Sequence, residues 1–244
     1  MNDLAFWRIR SRAFNKLEWV NNFFYLKNFV SACSPIKNDV VLDVGTGSGV
    51  VADALLPFVS KVVGLDFSLD MLSKGEWGGR KTFVLGNAKK MPFENDFFDL
   101  VVMRSVLHHI TDFPLRALQE SRRVLKKGGR FVISEGVPPS DFVFKQYEDI
   151  FSIKEKRILF REGNVEGLVR KAGFEKVSSF YFWIKKSSVK NWLKYSGLSK
   201  DKQDEIFSIY LNDKQLQKEH NCVLTRDGDC LVDVKTEIVK GFKE

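Results

Sequence analysis

The chain has 244 residues, 44% of them hydrophobic and 29% charged, which is ordinary for a soluble globular protein and enough for one substantial domain with an elaboration. No apolar run approaches the roughly 20 residues that span a bilayer, and the N-terminus MNDLAFWRIRSR is charged and aromatic, unlike a signal peptide. The net charge of +8 invites a nucleic-acid reading, but the basic residues are spread along the chain. Their densest cluster, Arg116, Arg122, Arg123, Lys126, Lys127 and Arg130, falls on a helix and turn whose ordinary role is to face solvent.

In chain order, Leu4, Trp7, Phe14, Leu17, Trp19, Phe23, Phe24, Leu26 and Phe29 recur at helical spacing, so one or two helices precede the first strand. The pattern then predicts strand 39–44, helix 48–58, strand 61–66, helix 68–75, strand 82–86, strand 98–103, helix 114–126 and strand 130–135. This alternation argues for an α/β fold with a doubly wound, mostly parallel sheet and helices on both faces. Residues 162–173 read as a helix stopped by Gly173, and 174–184 alternate like a strand. Residues 185–229 look mostly helical and carry Trp192, Leu193, Tyr195, Ile206, Phe207 and Tyr210, so they can pack. Residues 230–242 alternate as a last strand. One domain of 1–244 is expected: a helical cap (1–37), a core (38–184), a helical insertion (185–229) and the final strand (230–242). Cys33, Cys222 and Cys230 make an odd set without CxxC, which suits a reduced, cytoplasmic compartment. His220-x-Cys222-x7-Cys230 lacks a fourth ligand and the tight spacing of zinc sites, so no metal is expected.

The most informative segment is VVLDVGTGSG, residues 40–49. Val40, Val41, Leu42 and Val44 suit a buried parallel strand. Gly45, Gly47 and Gly49 suit a tight turn where a ligand approaches the backbone. The second strand ends at Asp66, where a carboxylate can accept hydrogen bonds from ribose hydroxyls. Asp43, just before the turn, would repel a pyrophosphate and welcome an ammonium group. A nicotinamide oxidoreductase is disfavoured on that ground. S-adenosylmethionine carries an ammonium, an adenine and a ribose.

This segment resembles motif I of the class I S-adenosylmethionine-dependent methyltransferases. FVLGNAKKMPF (83–93), FFDLVVMRSVLHHI (97–110) and LQESRRVLKKGGRFVI (118–133) resemble the later strand motifs of that family, in order. The likeness covers roughly residues 38–136 and is nearest to the ubiquinone/menaquinone-biosynthesis-like (methyltransferase type 11) subgroup. It implies a Rossmann-like seven-stranded sheet of order 3-2-1-4-5-7-6 with the last strand antiparallel, and S-adenosyl-L-methionine as cofactor. The family joins its sixth and seventh strands by a short hairpin, where this chain has the helical insertion.

The resemblance implies that Gly45, Thr46 and Gly47, with Gly49 in the same turn, wrap the methionine part of the cofactor, and that Asp43 meets its ammonium. Asp66 would take the ribose, with Ser68 capping the next helix instead. Phe67 would lie beside the adenine, and Met71 would floor its pocket or simply pack in the core. Asn87 replaces the family's usual Asp, yet its side-chain oxygen can still accept from an adenine amino group; the Ala88 N–H can reach a ring nitrogen. Phe14 and Trp19 match aromatic positions over the cofactor. Arg104, at the end of the fourth strand, could meet the cofactor carboxylate, an anionic substrate or a surface acid. His108 and His109 follow it. Either could act as a base or be a packed histidine, and His109 is the leading catalytic candidate. Glu135 ends the fifth strand, facing the same crevice, and could orient substrate.

The implied activity is methyl transfer to O, N or C of a small-molecule acceptor. Alternatives are a methyltransferase of RNA or of a protein or acyl-carrier substrate, and a non-catalytic S-adenosylmethionine-binding protein. The absence of Asn-Pro-Pro-aromatic disfavours amino-group methylation of bases or protein. The acceptor and the oligomeric state are not written in the sequence.

Overall fold

A computed structural model describes residues 3–244. In chain order the elements are α1 (Asp3–Ser11), a 3-10 turn (Phe14–Lys16), α2 (Phe23–Cys33), β1 (Val40–Val44), α3 (Val50–Leu55), β2 (Lys61–Asp66), α4 (Leu69–Leu72), β3 (Lys81–Leu85) and β4 (Phe98–Arg104). They continue with α5 (Pro114–Val124), β5 (Leu125–Gly136), α6 (Asp141–Lys154), α7 (Asn164–Lys171), β6 (Glu175–Ser188), α8 (Val189–Lys194), α9 (Lys200–Asn212), α10 (Lys214–Glu219), β7 (Val223–Leu224) and β8 (Cys230–Phe242).

The sheet has the order β3-β2-β1-β4-β5-β8-β6. β1 to β5 are mutually parallel, and β8 runs antiparallel between β5 and β6. This is the doubly wound sheet expected from the sequence, with one addition: the two-residue β7 pairs with β8 and makes an eighth strand. β1 is buried on both faces because apolar helices cover both. One core packs Leu42 and Val44 with Leu118, Phe131 and Val169. The other packs Val41 with Phe29, Leu55 and Ile238. Chain order reverses between β1 and β4, so the crevice at the C-terminal ends of the strands opens beside β1.

Several boundaries differ from the sequence pattern. The second helix is split, with α3 ending at Leu55 before a 3-10 turn at Leu56–Phe58 that contains Pro57. β5 begins at Leu125 and absorbs the expected glycine turn, since Leu125 already pairs with Phe98. Residues 141–154 carried no assigned element, yet they form α6, capped by Ser140 accepting from the Val143 N–H. The expected set of three thiols is also corrected. Cys222 and Cys230 form a disulfide in the β7–β8 hairpin, and buried Cys33 is free.

The largest departure explains where the insertion sits. β5 stops pairing with β8 at Gly136–Thr236, while β6 and β8 continue together to Ser188–Leu231. The β6–β8 ribbon therefore projects past the end of β5, with a register shift between Ile184 and Ser187. α8, α9 and α10 hang from this projection and pack on α6 through Val143, Ile150, Leu193, Ile206 and Leu216. The insertion is thus carried over the C-terminal edge of the sheet. No helix among the described residues is long and apolar enough to cross a membrane.

The N-terminal cap is fixed by α2. Phe29 is fully buried against the sheet, and the Tyr25 hydroxyl is 2.8 Å from Ser134 Oγ. Phe29→Ala should destabilise the fold by roughly 3–5 kcal/mol, the range for removing a buried phenylalanine. Urea unfolding checks this: a midpoint unchanged from wild type would mean that α2 is not part of the cooperative core.

Candidate active site

The turn after β1 is tied to β2 by its backbone. The N–H groups of Gly45 and Thr46 both donate to the Leu65 carbonyl, at 2.7 and 3.0 Å. The Gly47 N–H donates to Asp66 Oδ2 at 2.9 Å. Gly45 has φ +68°, and a Cβ there would meet Val106 Cγ2 at 2.4 Å. Only glycine offers both that conformation and that clearance. Gly49 has φ +85° at the start of α3 and faces Trp77, so it shapes the turn and lies outside the cavity lining.

A cavity of about 710 Å³ opens at this edge of the sheet, within the usual range for ligand sites. Asp43, Gly45, Thr46, Gly47, Asp66, Phe67, Met71, Asn87, Ala88 and Arg104 all line it, so ten residues expected to hold cofactor converge there. Asp43 is buried and accepts a 2.6 Å bond from the Thr46 hydroxyl. Burial raises its carboxyl to about 7, against the Thr46 bond and Arg104, which favour the charged form. Arg104 donates to the Val20 carbonyl at 3.0 Å and lies over the Trp19 and Tyr25 rings. Its Nη1 is buried without a partner.

Asp66 accepts from Gly47 N–H and Ser68 N–H, one on each carboxylate oxygen. Each oxygen keeps acceptor capacity for a ligand hydroxyl. Burial raises its pKa. Ser68 caps α4 through the Met71 N–H. Phe67 is 40% exposed beside the cavity, whereas Met71 is 2% exposed. Asn87 Oδ1 accepts from Lys89 N–H at 2.8 Å, which fixes the carboxamide orientation. Phe14 and Trp19 also line the cavity, with ring centroids 6.0 Å apart.

The two histidines take unequal places. His108 Nδ1 lies 2.6 Å from Glu135 Oε2, and Glu135 Oε1 accepts from the N–H groups of Val106 and Leu107. Glu135 is fully buried and is absent from the cavity lining. It reaches the cavity through His108, which corrects the expectation that Glu135 itself faces the crevice. Burial raises Glu135 to about 7 and holds His108 well below the usual histidine value. His109 packs edge-on against Trp7 at 4.8 Å and beside Phe6. Burial also lowers its pKa strongly. The carboxylate-oriented imidazole is therefore that of His108.

The far end of the cavity was not visible in the sequence. There Arg10 of α1 meets Glu155 at 2.6 Å, Lys154 meets the same carboxylate at 2.8 Å, and Arg157 approaches it at 3.5 Å. Phe151, Tyr147 and Trp192 wall this end. The only advance signal was the basic run KEKR at 154–157, which reads equally well as a solvated face. The basic cluster that was noted is largely paired internally. Arg123 bonds Glu120 and the carbonyls of Met91 and Phe93, Arg122 bonds the Gly173 carbonyl, Lys126 pairs with Asp99, and Arg130 pairs with Asp39.

The sequence matches the methyltransferase domain family over residues 42–133. It is 30% identical over 179 residues to a demethylmenaquinone methyltransferase of Clavibacter sepedonicus, covering 69% of each protein. It is 32% identical over 184 residues to the Staphylococcus epidermidis protein of the same name, covering 71% of this chain and 70% of that one. A solved structure from Bacillus halodurans, designated a methyltransferase, matches at TM-score 0.74 and 25% identity over 89% of this chain and 98% of that one. Haemonchus contortus phosphoethanolamine N-methyltransferase, solved with S-adenosyl-L-methionine, shares the fold at TM-score 0.66 and 20% identity, over 96% of this chain and 57% of that one.

The raised Asp43 carboxyl gives a signed prediction. The folded, ligand-free protein keeps a proton there that the unfolded chain has released. Stability from this group is full below the ordinary carboxylate value and is lost as pH rises through about 7. Asp43→Asn keeps the size and the Thr46 partner, so its ligand-free Tm should fall less than that of wild type between about pH 4 and pH 8. Glu135 leaves a residual slope, because burial raises it to about 7 as well. Calorimetric scans across pH decide: equal slopes for variant and wild type would refute the assignment.

Proposed function

Because the chain belongs to the class I S-adenosylmethionine-dependent methyltransferases, we propose that it methylates a small organic molecule inside the cavity between the strand ends and the helices α1, α6 and α8. The cavity itself carries this reading. It continues from the glycine turn to a pole walled by Arg10, Tyr147, Phe151 and Trp192, so an acceptor would be enclosed rather than docked on an open face. Pairing within the Arg116–Arg130 cluster supports it further, because Arg122, Arg123, Lys126 and Arg130 are committed to protein partners.

The residues present fit the cofactor. The orphaned Arg104 Nη1 suits a carboxylate, Asp43 suits an ammonium, and the spare acceptor capacity of Asp66 suits ribose hydroxyls. S-adenosylmethionine supplies a methyl group on an activated sulfonium, so transfer is an in-line displacement. The chain's part is then to align the acceptor, exclude water and remove a proton where the acceptor carries one. Glu135 fixes His108 with Nδ1 toward the carboxyl, which leaves Nε2 on the opposite edge of the ring, free to accept a proton. His109, packed edge-on against Trp7 and tilted against Phe6, shapes the wall.

Two measurements test these roles. Calorimetry should give binding of S-adenosylhomocysteine with a Kd on the order of micromolar, about −8 kcal/mol. Asp66→Ala should lose roughly 1.5–3 kcal/mol of it, the range for hydrogen bonds to a charged group. Tighter binding of NAD would contradict the cofactor assignment. Methyl-labelled cofactor incubated with cell metabolites and with total RNA then identifies the acceptor, and label entering RNA alone would overturn the small-molecule reading.

Glu135→Gln probes the base. Its oxygen can still accept from Val106 and Leu107, but its amide must donate to His108 Nδ1, which places the imidazole proton on Nε2. With a protonated acceptor, turnover should fall by about 10²–10⁴, the usual share of general-base catalysis, while S-adenosylhomocysteine affinity holds. Turnover within a few fold of wild type would assign the reaction to alignment alone.

A further inference from the structure

We propose that the acceptor is held through a compact anionic group, a carboxylate or a phosphate monoester, by Arg157, Arg10 and Lys154 at the α1–α6 end of the cavity. This rests on the small-molecule reading above.

The first support is charge balance. Arg10, Lys154 and Arg157 crowd around one carboxylate, Glu155. Glu155 and Lys154 are almost fully screened from solvent, as is Arg10. Burial would raise the Glu155 carboxyl, but Lys154 and Arg10 outweigh it and keep the group ionised. Glu135, one layer behind His108, is the other nearby acid. With every group ionised, three cations face two carboxyls, a formal excess of one positive charge. Buried charges are costly unless paired. Burial pulls the Lys154 ammonium down to about 7 in spite of Glu155, and Arg10 and Arg157 add to that effect. The exposed rim is mixed, carrying Glu18 and Asp112 as well as Lys156 and Lys202, and is screened by water.

The second support is unmet hydrogen bonding. Arg157 reaches Glu155 only at 3.5 Å, beyond the ordinary length. Its Nε is buried without a partner, and so is Arg10 Nε. A guanidinium presents five donors in a planar fork suited to carboxylate and phosphate. Aromatic faces hold these cations without neutralising them. Arg157 sits 4.3 Å from the Phe151 centroid, Lys154 5.0 Å from that of Trp192, and Arg10 5.0 Å from that of Phe6. Those rings would pack the apolar body of the same molecule.

A metal ion is the competing occupant. His108, His109 and Glu155 bring ligand-type atoms within 4.8 Å of one another. The three cations beside them oppose a further positive charge, so the field favours an anion.

Calorimetry on the protein loaded with S-adenosylhomocysteine tests the proposal, with benzoate, phenyl phosphate and neutral benzyl alcohol as probes. At least one anion should bind well above benzyl alcohol, and the tighter of the two identifies the carboxylate or the phosphate source. Arg157→Gln should weaken that anion by roughly 10- to 100-fold, as expected for a lost charge-assisted bond. Arg157→Lys should recover part of the loss, and both variants should keep wild-type affinity for S-adenosylhomocysteine. Benzyl alcohol binding as well as the anions, neither anion binding, or an unchanged affinity in Arg157→Gln would each overturn the site. Failure of the small-molecule reading looks different: the anions bind, while methyl label enters only RNA or protein.

Discussion

The Leu65 carbonyl and the Asp66 carboxylate together hold the turn after β1, and the rest of the site is built outward from that tether. Three consecutive N–H groups, those of Gly45, Thr46 and Gly47, are drawn to the end of β2. The chain can make that turn only with left-handed residues at Gly45 and Gly47. Once it is made, Asp43 is trapped beneath the turn against Thr46, and Asp66 faces the crevice with its geometry set by two backbone donors. The parallel sheet supplies the rest. β1 to β4 end at one edge, so Val44, Asp66, Leu85 and Arg104 deliver their following loops to the same crevice.

Charge is segregated along the cavity. The strand-end pole holds Asp43 and Asp66 against Arg104, a balance that becomes net negative once Asp43 is ionised and then matches a cofactor carrying ammonium, sulfonium and carboxylate groups. The α1–α6 pole holds three cations against Glu155. In a poorly solvated chamber such charges act over longer distances than in water. Such a field would favour a cationic donor at the strand-end pole over the other end.

Legibility in the sequence followed contact distance along the chain. The turn, Asp43 and Asp66 lie within about 25 residues, and each is dictated by a local need: left-handed φ, a strand end, a helix cap. β8 was readable at both boundaries from its β-branched residues and its partial apolar–polar alternation, although Cys230-Leu231-Val232 breaks the period. The acceptor pole was not readable. Arg10 and Glu155 are separated by 145 positions, and nothing local marks either as buried. α6 escaped notice because it is apolar on more than one side, packing against both Trp192 of α8 and the α9 helix. Adjacent histidines posed a similar problem. Which of them faces Glu135, 27 residues away, depends on the 3-10 turn at Leu107–His109 and not on residue type.

The projection of the β6–β8 ribbon sets the helices α8 to α10 apart from the part of the sheet that carries the glycine turn. The cofactor half is locked into the two cores that flank the sheet. The helices α8 to α10 share a third core with α6 and with Cys230 and Val232 of the projecting ribbon. A short hairpin between β6 and β8 would leave the crevice open to water at this edge. The longer ribbon covers part of that edge, with Trp192 of α8 lining the cavity beside Lys154. In this fold, then, the insertion brings an aromatic wall, while the charges of Arg10, Lys154, Glu155 and Arg157 come from other elements.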